Sequence, residues 1–412
     1  MNKKDPIFSL IKKEQKRQAK TLMLIPSENY ASEAVRRAVG SCLSHKYAEG
    51  YPGKRYYQGN EIIDEIENLA INRAKKLFGV PHVNVQPHSG SPANAAVYFG
   101  LLEPGDKIMG MALSSGGHLT HGHPKITFSG KYFQSIQYSV DNNDLLDYNA
   151  ISQLAKKHRP KIIVCGTTAY PRKIDFAKFS EIADDIDAFL MADIAHIVGL
   201  VIAGVHPSPV SYAHIVTTTT HKTLRGPRGA MIMVTKKGLA KDPDLAQKID
   251  KAVFPGLQGG PHEHTIAGIA VALAEAATPA FKKYGKQIVK NAEVLATELT
   301  SGGFRLVTGG TDNHLMLIDL RKQAIGGKEA AVALEKAGLI VNANSIPHDP
   351  APPMRPSGIR LGTPAVTTRG MKEPEMKKIA GRIREVLANP NDKQKLQAIC
   401  QQVKKLCQKF PI

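Results

Sequence analysis

The chain has 412 residues, is 42% hydrophobic, and carries 55 Lys and Arg against 36 Asp and Glu, a formal charge of +19. That length predicts two or three domains with cores of ordinary size, and no run approaches the roughly 20 apolar residues of a membrane span. The opening stretch MNKKDPIFSLIKKEQKRQAK lacks the long apolar region of a secretory signal, and Cys42, Cys165, Cys400 and Cys407 show neither a CxxC pair nor metal-ligand spacing, so a reducing cytoplasm is the expected home.

The two ends hold much of the charge, with +5 over residues 1–20 and +6 over residues 371–412. A solvated helix at each end accounts for this, and so does an attraction for polyanions. No zinc finger, RNA-binding signature or aromatic-interleaved basic stretch points to nucleic acid, and no membrane partner is expected.

In chain order, EIIDEIENLAINRAKKLF (61–78) places Ile62, Ile66, Leu69 and Leu77 at helical spacing. Residues 91–102 read as a helix stopped by Glu-Pro-Gly, 106–111 and 161–167 as short buried strands, and 151–158 and 179–186 as helices. The run 188–196 begins as a strand, and 213–220 is another. Strands alternating with helices predict an α/β fold with a mostly parallel sheet covered on both faces. The rhythm changes near residue 275: helix 281–300, strand 313–320, helix 328–338 with a late glycine, strand 339–345, and helices over 371–388 and 391–409. The Pro-rich 347–358 reads as a loop. The expected division is an N-terminal arm (1–20), a large domain (21–275) and a small C-terminal α/β domain (276–412).

Within this frame TTTTHKTLRGPRG (217–229) ends an apolar strand on a lysine. A buried lysine is costly unless its charge is lost or paired, and an amine whose pKa is lowered by neighbouring cations can attack an aldehyde. Lys222 follows His221, with Arg225 and Arg228 close behind, a setting for an aldehyde cofactor bearing an anionic group; pyridoxal phosphate is the obvious candidate. Standing alone, the stretch would sooner read as a surface lysine in a basic turn. It has company. Ser89, Gly90 and Ser91 precede a helix with Pro92 at its first position, as a phosphate site requires. Asp193 closes an apolar strand where a ring nitrogen would meet a carboxylate, and His118 and His196 are candidate ring neighbours.

The blocks IPSENYAS (25–32), KYAEGYPGKRYYQGNEIID (46–64), NVQPHSGSPAN (84–94), GGHLTHG (116–122), DIAHIVGLV (193–201), TTTTHKTLRGPRG, FPGLQGGP (254–261), GGTDNHL (309–315) and SGIRLGTPA (357–365) together resemble the serine hydroxymethyltransferase family over nearly the whole chain. The resemblance implies a pyridoxal phosphate enzyme of fold type I that moves the hydroxymethyl group of serine to tetrahydrofolate. It implies that Lys222, preceded by His221, carries the cofactor as a Schiff base, that Asp193 meets the pyridine nitrogen, and that His118 stacks on the ring with His196 opposite. Thr219 belongs to the same cofactor site, and Ser89, Gly90 and Ser91 hold the phosphate.

The same resemblance implies that Tyr47 and Gly260 reach the phosphate from a partner subunit, in a homodimer with shared sites or a dimer of dimers. Arg360 and Ser27 would clamp the substrate carboxylate, with Tyr57 nearby. Glu49 would manage a proton next to folate, and Tyr56, Leu113, Gly117, His118, Leu119, Asn344, Pro352, Pro353 and Met354 would complete the folate pocket. The basic surface would suit the acidic tails of polyglutamylated folates. Thr168, Pro92 and Ala192 depart from the family's more familiar Ser, Gln and Val. His262-Glu263-His264 stands where apolar residues are commoner; the spacing is not that of a zinc hydrolase, so a partly exposed polar helical turn is expected and no metal. A folate-independent threonine aldolase of the same fold is the competing reading, and retention of Glu49, Tyr56, Tyr57 and Asn344 argues against it.

Overall fold

Short runs of buried apolar residues form the central sheet of the computed structural model, which describes residues 5–412. Its strands are β1 (His82–Asn84), β2 (Lys107–Met111), β3 (Gln134–Tyr138), β4 (Ile162–Gly166), β5 (Phe189–Asp193), β6 (Ile215–Thr219) and β7 (Ala230–Val234), ordered β1-β7-β6-β5-β4-β2-β3. From β2 to β6 the pairing is parallel, while β7 runs antiparallel to both β6 and β1. Every residue of β4, β6 and β7 is buried, so these strands read as continuous runs without polar alternation.

Around the sheet lie α1 (Glu61–Phe78), α2 (Gly90–Leu101), α3 (Tyr148–His158), α4 (Phe176–Asp184) and α5 (Glu263–Ala276). Gly79, at φ 69°, closes α1 as a left-handed cap. Helix α4 begins three residues before the sequence-based boundary, because Asp175 accepts from the amides of Ala177 and Lys178 and caps it there. The register sets Gly166 beside Asp193, and Asp193 beside Thr217. The carboxyl ends of β4, β5 and β6 therefore share one edge, where an open α/β sheet binds ligands.

These elements belong to a compact unit of residues 31–286; the other unit comprises the described residues up to 30 and residues 287–412. It is built on an antiparallel sheet of β8 (Arg305–Leu306), β9 (Leu315–Asp319), β10 (Asn342–Asn344) and β11 (Gly358–Gly362), ordered β8-β9-β11-β10. Helices α6 (Gly327–Lys336), α7 (Glu373–Ala388) and α8 (Lys393–Lys409) add Leu334, Ile379, Ile383, Ile399 and Val403 to a core shared with Met316, Ile318, Ile359 and Leu361. The segment 339–345, read as one strand, is two: Leu339–Ile340 pairs in parallel with Leu22–Met23, while β10 joins the four-stranded sheet. That parallel pair is why residues 21–30 pack in this unit. Arg369 fastens the N-terminal helix Pro6–Lys20 by donating to the carbonyls of Thr21, Cys407 and Phe410 at 2.9, 2.9 and 2.7 Å. Among the described residues no single helix is long and apolar enough to cross a membrane.

Candidate functional site

At the shared carboxyl edge lies a cavity of about 220 Å³ lined by Ser89, Gly90, Ser91, His118, Asp193, His196, Thr219, His221 and Lys222. All nine were singled out in the sequence. Asn94, His121, Thr167, Thr168, Ala195 and Arg228 complete the wall.

Asp193 ends β5 as an acceptor with three donors. Its Oδ1 takes the Ala195 amide at 3.0 Å, and its Oδ2 takes Asn94 Nδ2 and His121 Nε2, both at 2.9 Å. His121 Nδ1 accepts from the His118 amide at 3.3 Å, which puts its proton on Nε2, facing the carboxylate. Burial alone would raise this carboxyl; the hydrogen bonds from His121 and Asn94 outweigh it and hold Asp193 below the ordinary range. The site therefore presents a fixed anion. Thr120 links the neighbours, its hydroxyl lying 2.7 Å from His118 Nδ1 and 2.8 Å from Asn94 Nδ2.

The threonine run supplies β-branched residues to a buried strand and hydroxyls that fasten its end. Thr217 donates to Asn94 Oδ1 at 2.8 Å, Thr220 to the Pro227 carbonyl at 2.6 Å, and Thr223 to the His196 carbonyl at 3.1 Å. Lys222 follows on this anchored turn. Burial, then the charges of Lys222 and Arg228, pull His221 down to about 3, so it is a neutral imidazole. Arg225 does not join them. At φ 61° it turns away, and its guanidinium lies 4.3 Å over the Tyr284 ring and 5.6 Å from that of Phe281. The cation beside Lys222 is Arg228.

Three observations fit a phosphate-bearing aromatic aldehyde. The first turn of α2 opens on the cavity, and Ser89 at its cap makes no side-chain hydrogen bond to the helix, leaving amides and hydroxyls for an anion. A Cβ on Gly90 would stand 2.6 Å from Thr219 Cγ2, so only glycine lets this turn approach β6. The buried Nδ1 of His221 has no hydrogen-bond partner, a polar atom placed for a ligand group.

A second cluster gathers other expected residues away from this cavity wall. The rings of Tyr47 and Tyr57 meet at 4.9 Å, and Tyr56 meets Phe254 at 5.7 Å. A Cβ on Gly260 would touch the Tyr47 ring at 3.5 Å, and one on Gly259 would lie 3.0 Å from Glu49 Oε1. The Glu49 charge raises the Tyr47 phenol. Tyr47, Tyr56 and Tyr57 are 54%, 71% and 45% exposed, unusual for three neighbouring aromatics. Leu113 and Leu119, half exposed, flank the Gly116–Gly117 turn, whose carbonyls both accept from the Thr168 hydroxyl. The altered residue thus keeps a hydroxyl's work.

The remaining candidates belong to the other unit. Arg360, on β11, donates from Nε to Asn342 Oδ1 at 3.1 Å, and burial lowers its guanidinium to about 10. Ser27 follows Pro26, against which a Cβ on Gly362 would collide, and the Gly362 amide donates to Leu24 at 2.7 Å. Residues 24–26 thus lie beside the strand of Arg360. Asn344 ends β10, and Pro352, Pro353 and Met354 sit on the following loop, with Met354 exposed.

His262-Glu263-His264 is the partly exposed helical turn expected, and Glu263 is its buried member, 1% exposed with no partner for either carboxylate oxygen. His262 stacks on His88 with ring centres 3.9 Å apart and planes 2° from parallel. Sequence reasoning missed Asn94 and His121. The signals were their spacing, one helical turn after Ser91 and three residues after His118.

A family profile described as serine hydroxymethyltransferase matches residues 1–383. Proteins of that name from Desulfotalea psychrophila and Sorangium cellulosum are each 56% identical, over 100% of this chain and 95% and 96% of theirs. One from Acidothermus cellulolyticus is 55% identical over 99% of this chain and 95% of its own. With Lys222, an ionised Asp193 and an open helix start around one cavity, and this identity along the whole chain, the protein belongs to the serine hydroxymethyltransferase family.

Proposed function

We infer that the protein reversibly transfers the hydroxymethyl group of L-serine to tetrahydrofolate, giving glycine and 5,10-methylenetetrahydrofolate, with pyridoxal phosphate as cofactor. The observation that carries this reading is the fixed anion at Asp193 sharing a cavity with Lys222 and the amides of Gly90 and Ser91. When bound, pyridoxal phosphate supplies an electron sink for the pair released as the bond to the serine α-carbon breaks.

The chain's own groups do the rest. Lys222 would offer the amine that holds the cofactor's aldehyde carbon, and Asp193 would meet the ring nitrogen and keep it protonated. Ser89, Gly90 and Ser91 would hold the phosphate, and Thr219, His196 and His118, which line the same cavity, would flank the ring. Neutral His221 beside Lys222 can accept a hydrogen bond without adding charge. Arg360, with Ser27, binds the substrate carboxylate as a planar fork, fixing which bond at the α-carbon can break. Glu49 takes or gives the proton on the departing hydroxymethyl oxygen, near Tyr57, while Tyr56, Leu113, Gly117, Leu119, Asn344 and Pro352–Met354 form the folate pocket.

The exposure of Tyr47, Tyr56 and Tyr57 supports a homodimer in which the Tyr47–Glu49–Gly260 cluster completes the partner's site. The charge of +19 suits polyglutamylated folate in the cytoplasm. The test is whether serine cleavage requires tetrahydrofolate. Dependence supports transfer, and equal turnover without it would identify a folate-independent aldolase.

A further inference from the structure

The hairpin that carries Glu49 is exposed above and anchored below. Gly50 pairs with Arg55 and Tyr51 with Lys54, and the Tyr56 amide donates to the Glu49 carbonyl at 3.0 Å. Beneath it runs the Arg55 side chain, only 4% exposed. Its Nη1 donates to the carbonyls of Ala48 and Gly50 at 2.8 and 2.9 Å. These carbonyls flank Glu49, so one nitrogen brackets that residue's backbone. Its other nitrogens reach α1: Nε donates to Asp64 Oδ1 at 2.8 Å and Nη2 to Glu67 Oε2 at 2.6 Å.

Two further residues repeat the connection. Gln86 Nε2 donates to the Gly50 carbonyl at 3.0 Å and to Glu67 Oε1 at 2.8 Å, and the Gly53 amide donates to Asp64 Oδ2 at 2.7 Å. Gly50 sits at φ +98°, and a Cβ there would lie 2.3 Å from the Lys54 carbonyl, so the turn tolerates no bulk. Asn60, also buried, adds a tie at the two ends, donating to the Tyr57 carbonyl at 2.8 Å and the Tyr47 carbonyl at 3.5 Å, and Arg55 alone holds the carbonyls on both sides of Glu49.

We propose that Arg55 is the positioning residue for this hairpin, fixing where Glu49, Tyr47, Tyr56 and Tyr57 are presented to the reacting groups. The proposal rests on the role given to Glu49 above. Only a planar guanidinium meets the demand, because two backbone carbonyls and two carboxylates must be reached at once by donors in a fixed fork. A lysine brings the charge as a single point without that geometry.

Truncation of Arg55 alone would leave Glu67 buried without its counter-ion and endanger folding. Two milder variants avoid this: Arg55→Lys keeps the charge, and the pair Arg55→Met with Glu67→Gln removes both charges together. In the holoenzyme, both should speed hydrogen exchange at the Gly53 and Tyr56 amides while amides of the Gly90–Leu101 helix exchange as before. The turnover number for tetrahydrofolate-dependent serine cleavage should fall by at least about tenfold, with KM for serine nearly unchanged. Wild-type exchange over residues 47–57 together with wild-type turnover in both variants would overturn the proposal. Glu49→Gln is the control. If that variant turns over normally, the role assigned to the hairpin is wrong, a failure separable from Arg55's because exchange reads the mount directly.

Discussion

His121 Nε2 lies 2.9 Å from Asp193 Oδ2, inside the wall of the cavity that Lys222 enters. The pair joins the loop after β2 to the end of β5, and its proton position follows from the His118 amide on the other ring nitrogen. Asp193 is thereby held ionised before any ring nitrogen arrives. A carboxylate fixed this way needs no reorganisation to receive a cation.

Replacing His121 by Ala removes a hydrogen bond to a charged acceptor, worth about 1.5–3 kcal/mol. Turnover should fall roughly 10–100-fold, and cofactor should dissociate more readily on dialysis, followed by its absorbance. Unchanged activity and cofactor retention would show that Asn94 and Ala195 suffice to hold Asp193.

Arg360→Ala should lose serine and glycine affinity by a factor of hundreds or more, since a bidentate charge-assisted pair contributes on the order of a few kcal/mol. The cofactor should remain bound, because its expected contacts lie on other residues. Titration of the cofactor spectrum with glycine measures both. Unchanged glycine affinity would mean another cation holds the carboxylate.

Glu263 gives a stability prediction with a definite sign. Burial, then the charge of Glu67, push its carboxyl up to about 8 against an ordinary 4.5. Between those values the unfolded chain releases the proton and the folded protein keeps it, so this group's contribution to stability falls as pH rises through that window. Glu263→Gln removes the titration. The variant should match or fall slightly below wild type near pH 4 and gain on it up to about pH 8, by several kcal/mol at most. Urea unfolding at both ends of the range checks this, and a pH-independent difference would contradict it.

If the Tyr47–Glu49–Gly260 cluster completes the partner's site, inactive Glu49→Gln and Lys222→Ala chains should complement each other. A mixed dimer has one site with both defects and one with none. Half of randomly assembled dimers are mixed, so co-expression should restore roughly a quarter of wild-type sites. Verified mixed dimers without activity would mean that Glu49 and Lys222 act within one chain.

The legible parts of the site were those fixed by strand ends. Asp193, Thr219 and Lys222 each lie at or just beyond the end of an apolar run, so local pattern located them; Ser89–Ser91 read as lying just before a helix, which in fact starts at Gly90 with Ser89 as its cap. The partners of Asp193 were not legible, because Asn94 and His121 meet it only through the order of the sheet. Arg225 looked like a companion of Lys222, but its left-handed backbone turns it to Tyr284, a contact spacing does not encode. The run 339–345 reads as one strand because β-branched and apolar residues continue through Val341, and only the pairing of its halves divides it. The triplet 262–264 reads as a partly exposed helical turn, and the sequence does not show which member is buried: Glu263 opens a helix whose Ile266, Ile269 and Leu273 are buried.

The central claim is that Lys222 holds the cofactor in this cavity. Borohydride reduction of the purified holoenzyme, followed by peptide mass spectrometry, tests it most directly. The account predicts a pyridoxyl adduct on the peptide containing Lys222 and its absence from the Lys222→Ala variant. An adduct on Lys173 or Lys236, with Lys222 unmodified, would contradict it.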